Sequence, residues 1–136
     1  MTSNPADEIR IQTEGDIVLT RRVVREAATK AGFGNTDVTR IVTASSELAR
    51  NIFKYAGGGV MRWRSLEDNG RRGIELLFVD QGPGIPDIEL AMQEGYSTGD
   101  GLGMGLSGAK RLMDELEIQS MVGQGTTITL KKWRQT

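Results

Sequence analysis

The chain has 136 residues, of which 38% are hydrophobic and 26% are charged, and its formal net charge at pH 7 is −1. The length and composition predict one globular domain, the absence of cysteine fits the cytoplasm, and the charge gives no attraction for nucleic acid or for an anionic membrane. Cysteine and histidine are both absent, which excludes disulfide bonds, thiolate or histidine metal sites, a Ser-His-Asp triad and phosphorylation on histidine.

Hydrophobic periodicity predicts a strand and two helices in the first part of the chain. Apolar and polar residues alternate in EIRIQT, which is typical of a short strand. Apolar residues then recur at helical spacing in two stretches that are separated by the glycine-containing segment AGFGN. The predicted elements are a strand over residues 8–13, a helix over 16–31 and a second helix from about Thr36 to Tyr55.

The second part of the chain predicts strands that are interrupted by a glycine-rich segment. VMRWRSL (60–66) and the almost wholly apolar IELLFVD (74–80) predict two strands joined by a hairpin turn at DNGRRG. A turn rich in glycine and proline follows, and then a short helical segment near residues 87–94. A third long helix is predicted to begin inside GDGLGMGLSG and to include Leu116. IQSMV and TTITLKKW predict a final hairpin around GQG.

This order of elements predicts an α/β fold of the two-layer α+β kind. We expect a mixed, mostly antiparallel sheet with the helices on one face. We also expect residues 1–7 to form a flexible N-terminus and residues 8–136 to form a single domain.

Glu47 and Asn51, in the segment ELARN, are the first candidate functional residues. They are four positions apart on the predicted second helix, so their side chains lie on the same face. A glutamate and an asparagine at this spacing are also common on solvent-exposed helix edges. Asparagine is a poor helix former, however, and its position between Leu48 and Ile52 indicates that its amide has a partner.

Two glycine-containing segments are candidates for binding a ligand. Asp80 ends the apolar strand, where it either terminates the strand in a turn or accepts a hydrogen bond from a buried ligand. Gly82 and Gly84 in DQGPGIP then form a stiff turn whose bare backbone can contact a flat ring. The glycines of GDGLGMG can direct backbone N–H groups and a helix N-terminus at phosphates, and a flexible surface loop is the alternative.

Other nucleotide-binding motifs fit this sequence less well. A dinucleotide-binding fingerprint needs a strand directly before its glycines, where this chain has GYSTGD. The phosphate-binding motif G-x-x-x-x-G-K-S/T is missing from the sequence. A conventional protein kinase needs a histidine in its catalytic loop, and this chain has none.

Taken in order, the segments ELARN, DQGPGIP, GDGLGMG and GQGT resemble the Bergerat-type ATP-binding fold of the GHKL superfamily. Gyrase, the Hsp-ninety chaperones, sensor histidine kinases and MutL share that fold. SSELARNIFKYAG, DQGPGIPDIELAMQEGYST and GLGMGLSGAKRLMDE are similar to the RsbT-type switch serine/threonine kinases of the stressosome. The resemblance covers about residues 8–134. RsbT-type chains often have proline in place of Ser107, a difference that we expect to change local stiffness rather than chemistry.

The resemblance implies a role for each matching residue. Asn51 would bind Mg²⁺, and Glu47 would be the base that orients or deprotonates the attacking hydroxyl group. Asp80 would accept a hydrogen bond from the adenine amino group, directly or with a water shared with Thr126. The remaining positions are glycines that would frame the adenine (Gly82 and Gly84) and the phosphates of ATP (Gly101, Gly103 and Gly105).

The resemblance also implies a kinase that uses ATP and Mg²⁺ to phosphorylate STAS-domain antagonist proteins of the stressosome. Once released, it would activate a metal-dependent serine phosphatase, and it would bind neither nucleic acid nor a membrane. Two alternatives stay open: an anti-sigma factor kinase that binds a sigma factor directly, and a non-catalytic, nucleotide-gated binding module. Arg50 and Lys54 are interpreted as surface charges rather than as contacts to phosphate or to a partner.

Overall fold

The computed structural model describes residues 2–3, 7–84 and 105–134. In these ranges, three α-helices pack with one six-stranded sheet. The helices are α1 (Glu14–Lys30), α2 (Asn35–Asn51) and α3 (Gly105–Leu112), and a π-helical turn, Ile52–Ala56, continues α2. The strands are β1 (Thr2–Ser3), β2 (Asp7–Ile11), β3 (Gly59–Asp68), β4 (Arg71–Asp80), β5 (Glu115–Met121) and β6 (Gly125–Trp133).

The sheet confirms the predicted fold class. β1 and β2 both pair with β3, and the sheet continues through β4 and β6 to β5. Every pairing between the described strands is antiparallel. On β4, the fully buried residues Ile74, Leu76 and Phe78 alternate with less buried ones and share one core with apolar residues of all three helices. The helices therefore cover one face of an antiparallel sheet.

The turn between β3 and β4 follows directly from its sequence. Asn69 and Gly70 both have positive φ, 53° and 81°. Two successive residues with positive φ are typical of a type I′ turn, whose twist matches that of the two strands and which favours Asn-Gly. The prediction of a hairpin at DNGRRG is thus confirmed.

The third helix is shorter than predicted, because Leu116 belongs to β5, where it pairs with Leu130. Asp114 separates the two elements: its N–H group donates to the Lys131 carbonyl (2.9 Å), and its carboxylate accepts from the Trp133 N–H group (2.7 Å). Apolar residues at 113 and 116 fit a helix, while those at 116 and 118 fit a strand equally well. The helical segment predicted near residues 87–94 lies outside the described residues.

The described N-terminal residues extend the sheet. β2 begins at Asp7, and Thr2 and Ser3 pair with Glu67 and Leu66 of β3. The division into a flexible segment 1–7 and a domain 8–136 stays a prediction. None of the helices within the described ranges combines the length and the apolar character that a membrane span needs.

Helix α1 begins with a capping box. Thr13 Oγ1 accepts a hydrogen bond from the Asp16 N–H group (3.2 Å), and Asp16 Oδ2 accepts from the N–H groups of Gln12 (2.8 Å) and Thr13 (2.9 Å). The hydrogen bonds from Gln12 and then Thr13 lower the pKa of the Asp16 carboxyl because they favour its charged form. The negative charge also interacts favourably with the helix N-terminus.

We expect Asp16→Asn to remove part of the loss of stability in acid. Because the pKa of Asp16 is lower in the folded chain, its stabilisation is present above the ordinary aspartate pKa of about 3.9. It is lost as the pH falls through the lowered folded-state value. Urea unfolding between neutral pH and about pH 2 measures this effect. Glu14→Gln, in the same helical turn but outside the capping box, is the control. An identical acid dependence in Asp16→Asn and the unmodified chain would contradict the assignment.

Candidate active site

The last turn of α2 carries a half-buried group of polar side chains. Glu47, Arg50 and Asn51 lie three and four positions apart on one face of the helix, whereas Leu48 and Ala49 between them are buried. Arg50 Nη1 donates a hydrogen bond to Glu47 Oε1 over 3.1 Å. Arg50, interpreted from the sequence as a surface charge, thus contacts the predicted base.

The helix changes from α to π directly after Asn51. The sequence pattern predicts one regular helix to Tyr55, but residues 52–56 form a π-helical turn, which ends at Gly57 with a φ of 74°. Single π turns inside helices frequently lie at functional sites. Within this turn, Ile52 lies beside Gly59 of β3, and Ala56 lies beside Gly82, which follows β4.

Close backbone approaches bring the π turn and the segment after β4 together. A Cβ atom on Gly59 would collide with the Val79 carbonyl oxygen and would lie 3.0 Å from Ile52 Cγ2. A Cβ atom on Gly82 would lie 2.7 Å from Ala56 Cβ. Only glycine fits at these two positions without a shift of the surrounding atoms, so their lack of a side chain places Asp80 beside the end of α2.

Asp80 is held in a defined orientation at the end of β4. Its Oδ1 atom accepts a hydrogen bond from the Gly82 N–H group over 2.9 Å. No donor in the described part of the chain binds Oδ2, so this atom can accept a hydrogen bond from a ligand. In the strand register Asp80 lies opposite Thr126 of β6. Thr126 is buried, and its Oγ1 atom lies 2.8 Å from Ser120 Oγ.

The β5–β6 hairpin fixes the turn that follows Asp80. A Cβ atom on Gly84 would collide with the Met121 carbonyl oxygen, and one on Gly125 would collide with the Asp80 carbonyl oxygen. Both glycines have positive φ, 80° and 96°. The Gly123 N–H group also donates to the Pro83 carbonyl over 2.9 Å. The sequence predicts GQG as a hairpin turn and GQGT as part of the ATP-binding motif, but it does not predict that Gly125 lets β6 approach Asp80.

The start of α3 is the predicted phosphate-binding element. Gly105, its first residue, has a φ of 54°, whereas Gly101 and Gly103 lie outside the described residues. Ser107, in the first turn, is buried, and its hydroxyl has no hydrogen-bond partner among residues 2–3, 7–84 and 105–134. A phosphate oxygen at this helix N-terminus would provide an acceptor. Sequence reasoning expected Ser107 to affect stiffness alone, because burial of the hydroxyl is visible only in the fold.

The described residues offer oxygen ligands but not a preformed metal cage. Within the ranges 2–3, 7–84 and 105–134, no group of three or more acidic side chains is close enough to hold a cation. Mg²⁺ usually keeps several waters and binds through few protein oxygens together with substrate phosphates. The amide oxygen of Asn51 therefore fits a magnesium ion that arrives with a nucleotide. The individual roles of the site residues stay predictions.

The chain is similar to known proteins over most of its length. Residues 11–132 match the model of the histidine kinase-like ATPase domain. The serine/threonine-protein kinase RsbT of Bacillus subtilis strain 168 is 51% identical over 125 residues, which cover 92% of this chain and 94% of that protein. The anti-sigma F factor of Caldanaerobacter subterraneus subsp. tengcongensis is 33% identical over 103 residues, 71% of each chain.

A solved structure has a similar fold. The RsbU and RsbW domains of a Mycobacterium tuberculosis protein superpose with a TM-score of 0.67 at 22% sequence identity. The match covers 98% of this chain but 34% of the mycobacterial one, so this chain spans about a third of that protein's length. At this level of identity the likeness concerns the fold alone.

We expect Gly82→Ala to lower the free energy of unfolding by about 1–3 kcal/mol, as overpacking does elsewhere. The added Cβ would lie 2.7 Å from Ala56 Cβ and 3.1 Å from Asp80 Oδ1. Gly15→Ala, inside α1, is the control, because the only atom within 4 Å of a Cβ there is Thr13 Oγ1 at 3.6 Å, an ordinary contact. Urea unfolding of both variants measures the difference. Equal losses of stability would show that Gly82 is not held against the π turn.

Proposed function

This chain belongs to the histidine kinase-like ATPase domain family, and on that premise we propose that it is an ATP-dependent serine/threonine protein kinase of the RsbT type. Similarity to RsbT over almost the whole of both chains supports this activity. The observation that carries the proposal is the half-buried Glu47, one helical turn from Asn51. A module that only bound nucleotide would not need a carboxylate at this place, whereas a kinase needs a group that accepts the hydroxyl proton.

The turn after β4 binds the adenine of ATP in this proposal. Asp80 Oδ2 accepts a hydrogen bond from the adenine amino group, directly or with a water shared with Thr126. The bare backbone at Gly82 and Gly84 contacts the flat ring. The triphosphate is bound at the N-terminus of α3 by Gly101, Gly103 and Gly105, and the hydroxyl of Ser107 is a further candidate donor.

Glu47 and Asn51 serve the transfer itself. Asn51 holds Mg²⁺, which when bound neutralises charge on the phosphates. Glu47 accepts the proton of a serine or threonine hydroxyl, whose oxygen forms the new bond to the γ-phosphorus as the bond to the ADP oxygen breaks. Because phosphoryl transfer depends mainly on positioning and charge neutralisation, so few catalytic groups are sufficient.

The partners follow from the resemblance of the sequence motifs to the stressosome kinases. The substrates are STAS-domain antagonist proteins in the cytoplasm, and the released kinase activates a metal-dependent serine phosphatase. Incubation with labelled ATP and purified STAS-domain proteins tests the activity, and capture of the phosphatase tests the second step.

Similarity to anti-sigma F factors over 71% of the chain favours direct binding of a sigma factor as the second candidate function. Recovery of a sigma factor without the phosphatase would support that candidate.

We expect Glu47→Gln and Asn51→Ala to have different effects. Loss of a general base lowers transfer by about 10²–10⁴-fold, so Glu47→Gln loses phosphorylation of a STAS-domain protein while it keeps ATP affinity. Asn51→Ala instead weakens the binding of ATP in the presence of Mg²⁺. Labelled-phosphate transfer and calorimetric titration measure the two effects. Wild-type transfer by Glu47→Gln, or unchanged Mg²⁺ dependence in Asn51→Ala, would refute the corresponding role.

We expect the site to prefer ATP strongly over GTP. Guanine has a carbonyl oxygen where adenine has its amino group, so a carboxylate would face another acceptor with both groups desolvated. Sites built for a hydrogen bond reject a ligand that lacks it by up to about 10⁴–10⁵-fold. Asp80→Asn should reduce this preference, because an amide donates as well as accepts. Titration of both nucleotides into both proteins measures it. GTP affinity equal to that of ATP in the unmodified chain would rule out the role of Asp80.

A further inference from the structure

We propose that Arg50 is a positioning residue that holds the Glu47 carboxylate for proton transfer, an inference that rests on the proposed function. The hydrogen bond joins Arg50 Nη1 to Glu47 Oε1 over 3.1 Å. The Glu47 side chain is 16% exposed and that of Arg50 is 34% exposed. No donor in the described ranges binds Glu47 Oε2, so this oxygen can accept the proton of a substrate hydroxyl.

Helix geometry explains how Arg50 reaches Glu47. Long side chains on an α-helix point back toward its N-terminus, so an arginine at position i+3 extends over the residue at position i. Its planar guanidinium fixes the direction of the carboxylate more closely than a lysine ammonium does. Asn51, one residue further, occupies the neighbouring position on the same face. The orientation of the Glu47 carboxylate is thus set by Arg50, and Glu47 lies one helical turn from Asn51, the predicted metal ligand.

Electrostatics explains why this carboxylate needs a cationic partner. The predicted base must lie close to the phosphates of ATP, and two negatively charged groups at short distance repel each other. A carboxylate free to rotate would turn away from the phosphates. The ion pair with Arg50 opposes this movement, because turning Glu47 away would break the hydrogen bond.

A second ion pair on α2 has the same types of charge and the same spacing but does not include Glu47, so it serves as a comparison for Arg50. Arg40 Nη1 contacts Asp37 Oδ1 over 2.9 Å at the same spacing, near the opposite end of the helix. Pairs of this kind contribute little to the free energy of unfolding. Both pairs are therefore expected to have similarly small effects on stability, and only the one that includes Glu47 is expected to affect turnover.

Kinetic comparison of Arg50→Met, Arg50→Lys and the matched control Arg40→Met tests the proposal. STAS-domain proteins are the phosphate acceptors, and ATP affinity is measured by calorimetry. Misplacement of a reacting group by about 1 Å costs roughly 100-fold, so we expect Arg50→Met to lower kcat by about 10- to 100-fold and to leave ATP affinity nearly unchanged. Arg50→Lys should recover part of kcat, and Arg40→Met should keep it. Thermal unfolding of each variant verifies that it is folded.

A double-mutant comparison separates this inference from the proposed function. If Arg50 acts through Glu47, then Arg50→Met causes no further loss in a chain that already carries Glu47→Gln. A further loss of kcat in the double variant would overturn the positioning role. A fall in ATP affinity as large as the fall in kcat would also overturn it, because Arg50 would then contact the nucleotide. Full activity of Glu47→Gln alone would refute the role of Glu47 and the inference with it. A normal kcat for Arg50→Met beside an inactive Glu47→Gln would refute the inference alone.

Discussion

The close approach of three backbone segments around Asp80 is the constraint on which the rest of the site depends. A Cβ atom would clash with neighbouring atoms at Gly59 of β3, at Gly82 of the turn after β4 and at Gly125 of β6. The position of the Asp80 carboxylate is therefore set by main chain packed against main chain. Such contacts have few alternative arrangements, because densely packed interiors do not deform continuously. A ligand that binds this carboxylate meets an acceptor whose direction is already determined.

The same packing connects the two halves of the proposed chemistry. Ile52 and Ala56 contact the region of Asp80, and they follow directly after the polar group on α2. Adenine recognition and proton acceptance would thus occur on one packed unit. The C-terminal end of α3 is held at the opposite end of α2: Lys132 is buried, donates to the Leu112 carbonyl (3.0 Å) and lies 4.0 Å from Asp37, in the first turn of α2.

Sequence patterns were sufficient where one local rule determines the structure. Apolar periodicity located α1, α2 and the strands β2 to β6, and Asn69-Gly70 specified its turn. The same patterns failed at Leu116, because its apolar spacing fits a helix and a strand equally well. They also failed after Asn51, because a π turn differs from an α turn by only one residue per turn. Contacts that depend on rotamers or on distant backbone, such as Arg50 with Glu47 or Gly125 with Asp80, leave no periodic signal. Motif resemblance supplied the expected roles of Glu47, Asn51 and Asp80, but not the neighbours that orient them.

The absence of histidine accounts for the charge pattern at the end of α2. Without an imidazole, a base that is unprotonated near neutral pH must come from a carboxylate, since lysine and tyrosine have ordinary pKa values near 10. A carboxylate carries a negative charge that a neutral imidazole lacks, and next to a triphosphate this charge is a disadvantage. An arginine one helical turn away offsets the charge without removing the proton acceptor, because it binds one oxygen and leaves the other. Asn51, which has no charge, can bind a cation beside this pair without competing with Arg50 for Glu47. The order Glu, Arg, Asn along one helical face therefore fits a phosphoryl-transfer site that works without histidine.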